Sequence, residues 1–344
     1  MALKQNRLLF LAVFVNDKRP GINIRTSTDR IAGALMSQGF RVICSSSQSN
    51  RWIRLVVQLW TIIGSRKNYD VAILPLFGTK GSIWWHRILS AGLRLMKKRL
   101  VITVDGGSIP AQIENGDKRF FKILSKAESV ICPSSYMFEA VKKYPLKRIV
   151  QIENVVDLKQ YPFQIKKSFQ PVLLWMRGFE RFYNPEMAIR VTVLLKKKYP
   201  DFRLIMAGKN GPLLDVVKQM VKESDLGNNV SFPGYLLQHE KISYAREASI
   251  FICTNSVDNA PVSLIEFMAL GTVIVSTDVG GIAEIIDSGT TGYLVERDDD
   301  AAMFERVKFL LENPDHLIQM ANAARRKALQ YDIEPIVEKW LPLL

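Results

Sequence analysis

The sequence predicts an α/β protein built on two parallel sheets, and three observations carry that expectation. Short β-rich apolar runs alternate with longer helical patterns from one end to the other. The 344 residues fit two domains at roughly 150 residues each. A polar stretch, Gln164-Ile-Lys-Lys-Ser-Phe-Gln170, separates two halves that repeat the same alternation.

Strand, helix and strand in succession require a parallel sheet with right-handed crossovers. The first strand is expected at 8–15, an eight-residue apolar run where a bilayer span needs about 20. Lys4 and Arg7 before it mimic a leader peptide, but Asn16-Asp-Lys-Arg-Pro20 follows in place of a small-residue cleavage site. The run is therefore expected to be a buried strand, and the chain cytoplasmic. Further strands are expected at 41–45, 71–75, 100–104, 129–132 and 149–152, with helices at 28–38, 52–65, 83–96, 118–126 and 137–143. In the second half, strands at 172–176, 203–207, 230–233, 250–254, 273–277 and 292–295 alternate with helices at 185–198, 212–223, 239–247, 261–270, 282–288 and 299–311. Ligands of such sheets sit beyond the carboxyl ends of the strands, so a cleft between the two domains is the expected site.

Composition narrows the class. An apolar fraction of 48% with 23% charged residues suits a globular protein and excludes a disordered tail, a collagen-like chain or a small disulfide scaffold. Cys44, Cys132 and Cys253 are too few and too far apart for a disulfide framework or a zinc cluster, and they fit a reducing compartment. The net charge of +14 is uneven. Residues 1–165 hold 26 Lys/Arg against 10 Asp/Glu, whereas residues 166–344 hold 21 against 23. Such asymmetry points to an anionic partner for the first half. No zinc finger, RNP-type strand or basic zipper is present, so no nucleic-acid partner is expected. Tryptophan instead stands beside the basic residues: Trp52-Ile-Arg54-Leu-Val-Val runs on to Trp60, and Ile83-Trp84-Trp85-His86-Arg87 leads to Arg94, Lys97, Lys98 and Arg99. That mixture suits the headgroup layer of an anionic membrane surface. Either segment taken alone also reads as an ordinary helix covering a sheet, its charged rim solvated.

The stretch richest in chemistry is Asp258-Asn-Ala-Pro261-Val262-Ser263-Leu264-Ile-Glu266, directly after the strand expected at 250–254. Pro261 suits the first helical position, where its missing N–H costs nothing. The amides of Val262, Ser263 and Leu264, with the positive end of the helix dipole, would then form an anion site sized for a phosphate or diphosphate. Glu266 lies one turn beyond Val262 on the same face, placed to accept from a vicinal diol such as a ribose.

These residues carry a resemblance. Asp258 and Glu266 match the acidic-x7-acidic motif of the retaining glycosyltransferases of family 4, which have the GT-B fold. The match runs on through Phe-Met-Ala-Leu-Gly271, Val273-Ile-Val-Ser-Thr-Asp-Val-Gly280-Gly281 and Glu284 to Gly289 and Gly292, about 40 consecutive positions. Weaker matches occur in order at Leu173-Leu-Trp-Met-Arg177-Gly, Leu204-Ile-Met-Ala-Gly208, Val230-Ser-Phe232-Pro-Gly234-Tyr235 and Ile152-Glu-Asn154-Val-Val-Asp157.

The resemblance implies a GT-B protein with two Rossmann-like domains facing each other across a cleft. The acceptor domain would span 1–165 and the donor domain 166–331, with 332–344 returning to pack on the first domain. Glu266 would bind the ribose of a UDP- or GDP-sugar, and Asp258 the hydroxyls of its sugar. Arg177 would pair with the diphosphate, as a guanidinium suits bidentate contact. Tyr183 stands where the family usually has Lys, so Arg181 is expected to supply the second cation. Gly208 belongs to the second matched strand, and Phe232, Gly234 and Tyr235 would lie near the nucleobase, largely through backbone contacts. Arg177, Arg181 and the helix amides would stabilise the leaving diphosphate with neither a metal nor a further cofactor. His86, His239 and His316 are scattered, and Asp298-Asp-Asp300 reads as a solvated helix cap. Asp105 stands where His is common in the family. It is placed to take the acceptor's proton or orient the sugar, or merely to cap a turn with Gly106-Gly107. Gly21 resembles the family's glycine beside the donor phosphate.

The expected reaction is retaining transfer of a sugar to a glycan or lipid-linked glycan at the inner face of the plasma membrane. Two alternatives are a nucleotide-sugar hydrolase or epimerase that uses no acceptor, and a non-catalytic binding protein. A dehydrogenase is disfavoured because no Gly-x-Gly-x-x-Gly follows the first strand.

Overall fold

The computed structural model describes residues 7–13, 27–46, 48, 50–78, 80–166 and 169–344. Lys4, Phe14, Val15, Asn16, Asp17, Lys18, Arg19, Pro20, Gly21, Lys167 and Ser168, which the sequence reading used, lie outside them. The chain divides into two compact units, residues 1–156 with 331–344, and residues 157–330.

The first unit holds β1 (Arg7–Val13), α1 (Ser27–Ser37), β2 (Arg41–Ser46), α2 (Arg51–Gly64), β3 (Val71–Leu76), α3 (Lys80–Leu95), β4 (Arg99–Val104), α4 (Ile109–Glu114), α5 (Arg119–Leu124), β5 (Ser129–Cys132), α6 (Ser135–Val141) and β6 (Ile149–Gln151). Its six strands pair in the order β2-β1-β3-β4-β5-β6, and every pairing is parallel. β3 is buried along its whole length, as a strand covered on both faces must be. One face packs on Leu55, Ile62, Ile83, Leu89, Leu93, Phe120 and Ile123 of α2, α3 and α5.

The second unit holds β7 (Val172–Met176), α7 (Pro185–Lys196), β8 (Arg203–Ala207), α8 (Leu214–Glu223), β9 (Val230–Gly234), α9 (Gln238–Glu247), β10 (Ile250–Cys253), α10 (Val262–Leu270), β11 (Val273–Thr277), α11 (Ile282–Ile285), β12 (Tyr293–Val295), α12 (Asp300–Glu312) and α13 (Pro314–Ala328). The order here is β12-β11-β10-β7-β8-β9, again parallel throughout. The direction of winding reverses between β7 and β10, and in open sheets of this kind ligands bind outside the carboxyl ends at that point.

The last helix, α14 (Ile333–Trp340), belongs to the first unit. Ile336, Val337 and Trp340 are buried with Leu8, Phe10, Val71 and Ile73 on the second face of its sheet. The Val156 amide donates to the Tyr331 carbonyl at 2.8 Å, and Lys339 pairs with Glu153.

Some expectations shift. The unit boundary falls at 156/157 rather than after 165, because Tyr161 is tied into the second unit by bonds to Glu266 and from Arg325. Pro261 is the N-cap of α10, not its first helical residue. The helix expected at 282–288 is a single turn, and α4, α13 and α14 were not foreseen as helices. Among the described residues no helix is long and apolar enough to cross a membrane.

Candidate functional site

The carboxyl ends of β7 and β10 deliver the two most informative residues to one point. β7 runs out into Arg177 and β10 into the segment that ends at Asp258. Buried hydroxyls fix both ends. Trp175 Nε1 donates to Thr254 Oγ1 at 2.9 Å, which in turn donates to the Tyr183 carbonyl at 2.9 Å, and Thr277 Oγ1 donates to the Asn255 carbonyl at 2.7 Å.

On this frame Arg177 Nη2 donates to Asp258 Oδ2 at 3.1 Å. The same oxygen accepts from Asn255 Nδ2 at 2.7 Å, and Oδ1 from the Asn259 amide at 2.8 Å. The Tyr183 ring lies 5.2 Å from the Arg177 guanidinium, so this tyrosine holds the cation by its π face. Burial opposes charge on Arg177, but Asp258 and its other neighbours outweigh it and hold the pKa above the ordinary value. Arg177 Nε is buried with no partner, leaving a donor for a ligand. Burial pushes the nearby Cys253 thiol up, so it is a neutral neighbour.

Two glycines let main chain close around the pair. A Cβ on Gly208 (φ +154) would fall 1.6 Å from the Arg177 carbonyl oxygen, and one on Gly280 (φ +59) would fall 1.8 Å from that of Asp258. No side chain fits either place.

α10 starts beside Asp258. The Leu264 amide donates to the Pro261 carbonyl at 3.1 Å, so it is spent in the turn and is not an anion donor. Val262 and Ser263 keep the outward amides of the first turn. Ser263 is 6% exposed and its Oγ has no partner, a second orphaned donor. One turn deeper, Glu266 is 2% exposed yet does not face hydrocarbon. Tyr161 Oη donates to its Oε1 at 2.7 Å and Lys241 Nζ to its Oε2 at 3.0 Å.

A cavity of ≈ 400 Å³ opens from this cluster, and Arg177, Tyr183, Gly208, Lys209, Tyr235 and Lys241 are among its lining. Arg177, Gly208 and Tyr235 thus meet as expected residues. Glu266 joins them through Lys241, and Asp258 through Arg177. Arg181 is exposed and outside the lining, and the additional cations in the wall are Lys209 and Lys241. Phe232 turns into the core against Phe179, with ring centroids 6.1 Å apart. Sequence reasoning missed Tyr161, Lys209 and Lys241.

Asp105 lies in the first unit, just beyond β4. Thr103 Oγ1 donates to it at 2.9 Å, and it lines a cavity of ≈ 30 Å³ with Phe10, Thr28, Asn154 and Trp340. Burial pushes its carboxyl up to about 6, against the pull of Thr103. Among the described residues no three His, Cys, Asp or Glu side chains are gathered as metal ligands, and Asp299 caps α12 through the Ala302 amide.

Comparison with known proteins agrees with this geometry. Residues 159–327 match the family model described as glycosyl transferases group 1. A Haemophilus influenzae protein named as an uncharacterized glycosyltransferase is 29% identical over 205 residues, which is 59% of this chain and 57% of that protein. The poly(ribitol-phosphate) α-N-acetylglucosaminyltransferase of Staphylococcus aureus is 23% identical over 218 residues, 62% of this chain and 43% of that protein. The chain thus spans about half the length of these curated relatives. Among solved structures, Anabaena HepE in complex with UDP and glucose superposes with a TM-score of 0.75 at 16% identity, over 97% of this chain and 98% of that one. That likeness shows the fold, GT-B with two parallel six-stranded sheets.

Proposed function

We propose that the chain is a retaining glycosyltransferase that moves a sugar from a nucleoside-diphosphate sugar to a glycan or lipid-linked glycan at an anionic membrane surface. The observation that carries the reading is the meeting of Arg177, Asp258 and the start of α10 at the winding reversal, with Glu266 one turn below. The family match to this unit and the UDP in a protein of the same fold support it.

The chemistry follows from charge. Breaking the sugar–phosphate bond builds negative charge on the diphosphate and oxocarbenium character on the sugar. Arg177 Nε and the amides of Val262 and Ser263 are donors positioned before reaction, so they stabilise that charge without reorganising. Lys209 and Lys241 add positive potential in the wall, the part first assigned to Arg181. Glu266, held by Tyr161 and Lys241, accepts from the ribose hydroxyls. Asp258 keeps Arg177 aimed and offers its remaining lone pairs to the sugar. With retention at one face, the departing phosphate takes the acceptor's proton. Asp105 then orients the acceptor hydroxyl or shares that proton.

A thermal-shift panel of UDP- and GDP-sugars tests the reading. Donor at 100 times its dissociation constant stabilises by about 2.7 kcal/mol, or roughly 5–10 °C for a unit of this size. Glu266→Ala should abolish the response and the transfer. Free sugar or an epimer formed from donor alone would replace transfer by hydrolysis or epimerisation, and no response to any donor would refute the reading.

A further inference from the structure

A second cavity, of ≈ 330 Å³, opens at the opposite, amino end of the first unit's strands. Arg94, Lys97, Lys98, Arg99, Lys126 and Lys147 line it, against one acid, Glu128. Arg99 is spent on Glu128 at 3.0 Å and on the Leu343 and Leu344 carbonyls. Lys98 donates to the Tyr69 carbonyl at 2.7 Å. Among the described residues, Arg94, Lys97, Lys126 and Lys147 have no acidic partner. Lys126 Nζ donates to Ser90 Oγ at 3.3 Å and to the Arg87 carbonyl at 3.4 Å, and burial, then the charges of Arg87 and Arg94, hold its pKa below the ordinary value. Nothing in the proposed reaction uses these groups.

Beside this cleft runs an apolar face. Trp52, Ile53, Val56, Trp60 and Ile63 are exposed along α2, Trp60 by 75%. Leu95, in the last turn of α3 next to Arg94 and Lys97, is 85% exposed. Trp85 Nε1 donates to Gln58 Oε1 at 3.0 Å, which sets the two helices side by side. Both return antiparallel to the strands, so Ile63, Leu95 and the exposed Arg66 and Lys67 share the amino end with the cleft. An apolar stripe along a helix of 14 residues, about 21 Å long, bordered by cations without acidic partners is complementary to an anionic interface and not to water.

We propose that the first unit lies side-on on an anionic bilayer, with the α2 stripe and Leu95 at the acyl boundary and one lipid phosphate seated among Arg94, Lys97, Lys126 and Lys147. This deepens the membrane partner named above and is independent of the donor chemistry. It is a site for a phosphate that belongs to a lipid headgroup.

Co-sedimentation of the full chain with vesicles tests it, using phosphatidylcholine alone and phosphatidylcholine with about a third phosphatidylglycerol at about 0.15 M salt. Binding is expected to the mixed vesicles and not to phosphatidylcholine alone. Each cation near the surface is worth about fivefold, so Lys97→Ala/Lys147→Ala should bind at least roughly 30-fold more weakly. Arg66→Ala/Lys67→Ala removes the same charge outside the cleft and should cost clearly less, and Trp60→Ala should weaken binding to the same vesicles. Equal losses in the two double variants would overturn the headgroup site, leaving only diffuse attraction. Saturation by inorganic phosphate without vesicle binding would make it a soluble-phosphate site, and a gel shift with nucleic acid in place of vesicle binding would also overturn it. The cleft variants should keep the wild-type thermal response to nucleotide sugar, so failure here and failure of the transferase reading are separable.

Discussion

Replacing Lys241 with Met should strand a buried carboxylate. In the wild type, the nearly inaccessible Glu266 is met by an ammonium at 3.0 Å and a phenol at 2.7 Å. Without the ammonium the Tyr161 phenol, a neutral donor, stays on the carboxylate in place of a charged one, and removing one partner of a buried pair costs about 3–5 kcal/mol. Proton uptake caps that cost. Keeping an ordinary glutamate protonated at pH 7 costs about 3.7 kcal/mol, so the expected loss at neutral pH is about 3–4 kcal/mol. For a unit the size of residues 157–330 this lowers the unfolding midpoint by roughly 6–16 °C. The sign with pH is fixed: the folded variant holds the extra proton more tightly than its unfolded chain, so the deficit grows as pH rises from about 4.3 and shrinks on acidification. Scanning calorimetry of wild type, Lys241→Met, Glu266→Gln and the double variant, at pH 7 and pH 5, measures this. Removing both charges together should restore stability to within about 1 kcal/mol of wild type. A deficit independent of pH, or a double variant as unstable as Lys241→Met, would show that Glu266 is not carried by this pair.

Three further outcomes follow from the same geometry. Gly208→Ala places a methyl 1.6 Å from a carbonyl oxygen, and should cost about 2–4 kcal/mol in urea unfolding and weaken the nucleotide response. Tyr161→Phe removes a hydrogen bond to a buried charge and should cost about 1.5–3 kcal/mol by the same titration. Burial raises Asp105 from 3.8 to about 6, so its contribution to stability is present below the lower value and drains away as pH rises through the upper one. Asp105→Asn should flatten that decline, on the order of 1–3 kcal/mol, in unfolding midpoints followed from pH 4 to 7.

The strands were legible because parallel strands covered on both faces read as unbroken apolar runs, as in Ile250–Cys253 and Val172–Met176. Helix α13 was missed although Leu317, Met320, Ala321, Ala324 and Ala328 repeat at helical spacing, since small alanines make a faint stripe. Asp258 and Glu266 could be singled out because they share one local segment, whereas Arg177, 81 positions from Asp258, was picked out only by the resemblance. Lys241 and Tyr161 were not, since tertiary packing brings them to Glu266 across 25 and 105 positions. Arg181, exposed and outside the cavity wall, was misplaced for a related reason: a sequence names the neighbours of a site but not which way each side chain turns. Leu264 fails locally, as its amide closes the first turn of α10.

The course of the chain has a consequence for its synthesis. The second unit is one uninterrupted stretch, whereas the first needs residues 331–344 to cover Leu8, Phe10, Val71 and Ile73. On the ribosome the earlier-made half must therefore wait, one face of its sheet covered only in part, by Ile31, Ala32 and Leu35 of α1, until everything between 157 and 330 has been polymerised. At about 5–20 residues per second that interval lasts roughly 9–35 s. Nascent chains paused in it are the ones a chaperone should hold, and release should coincide with emergence of Trp340.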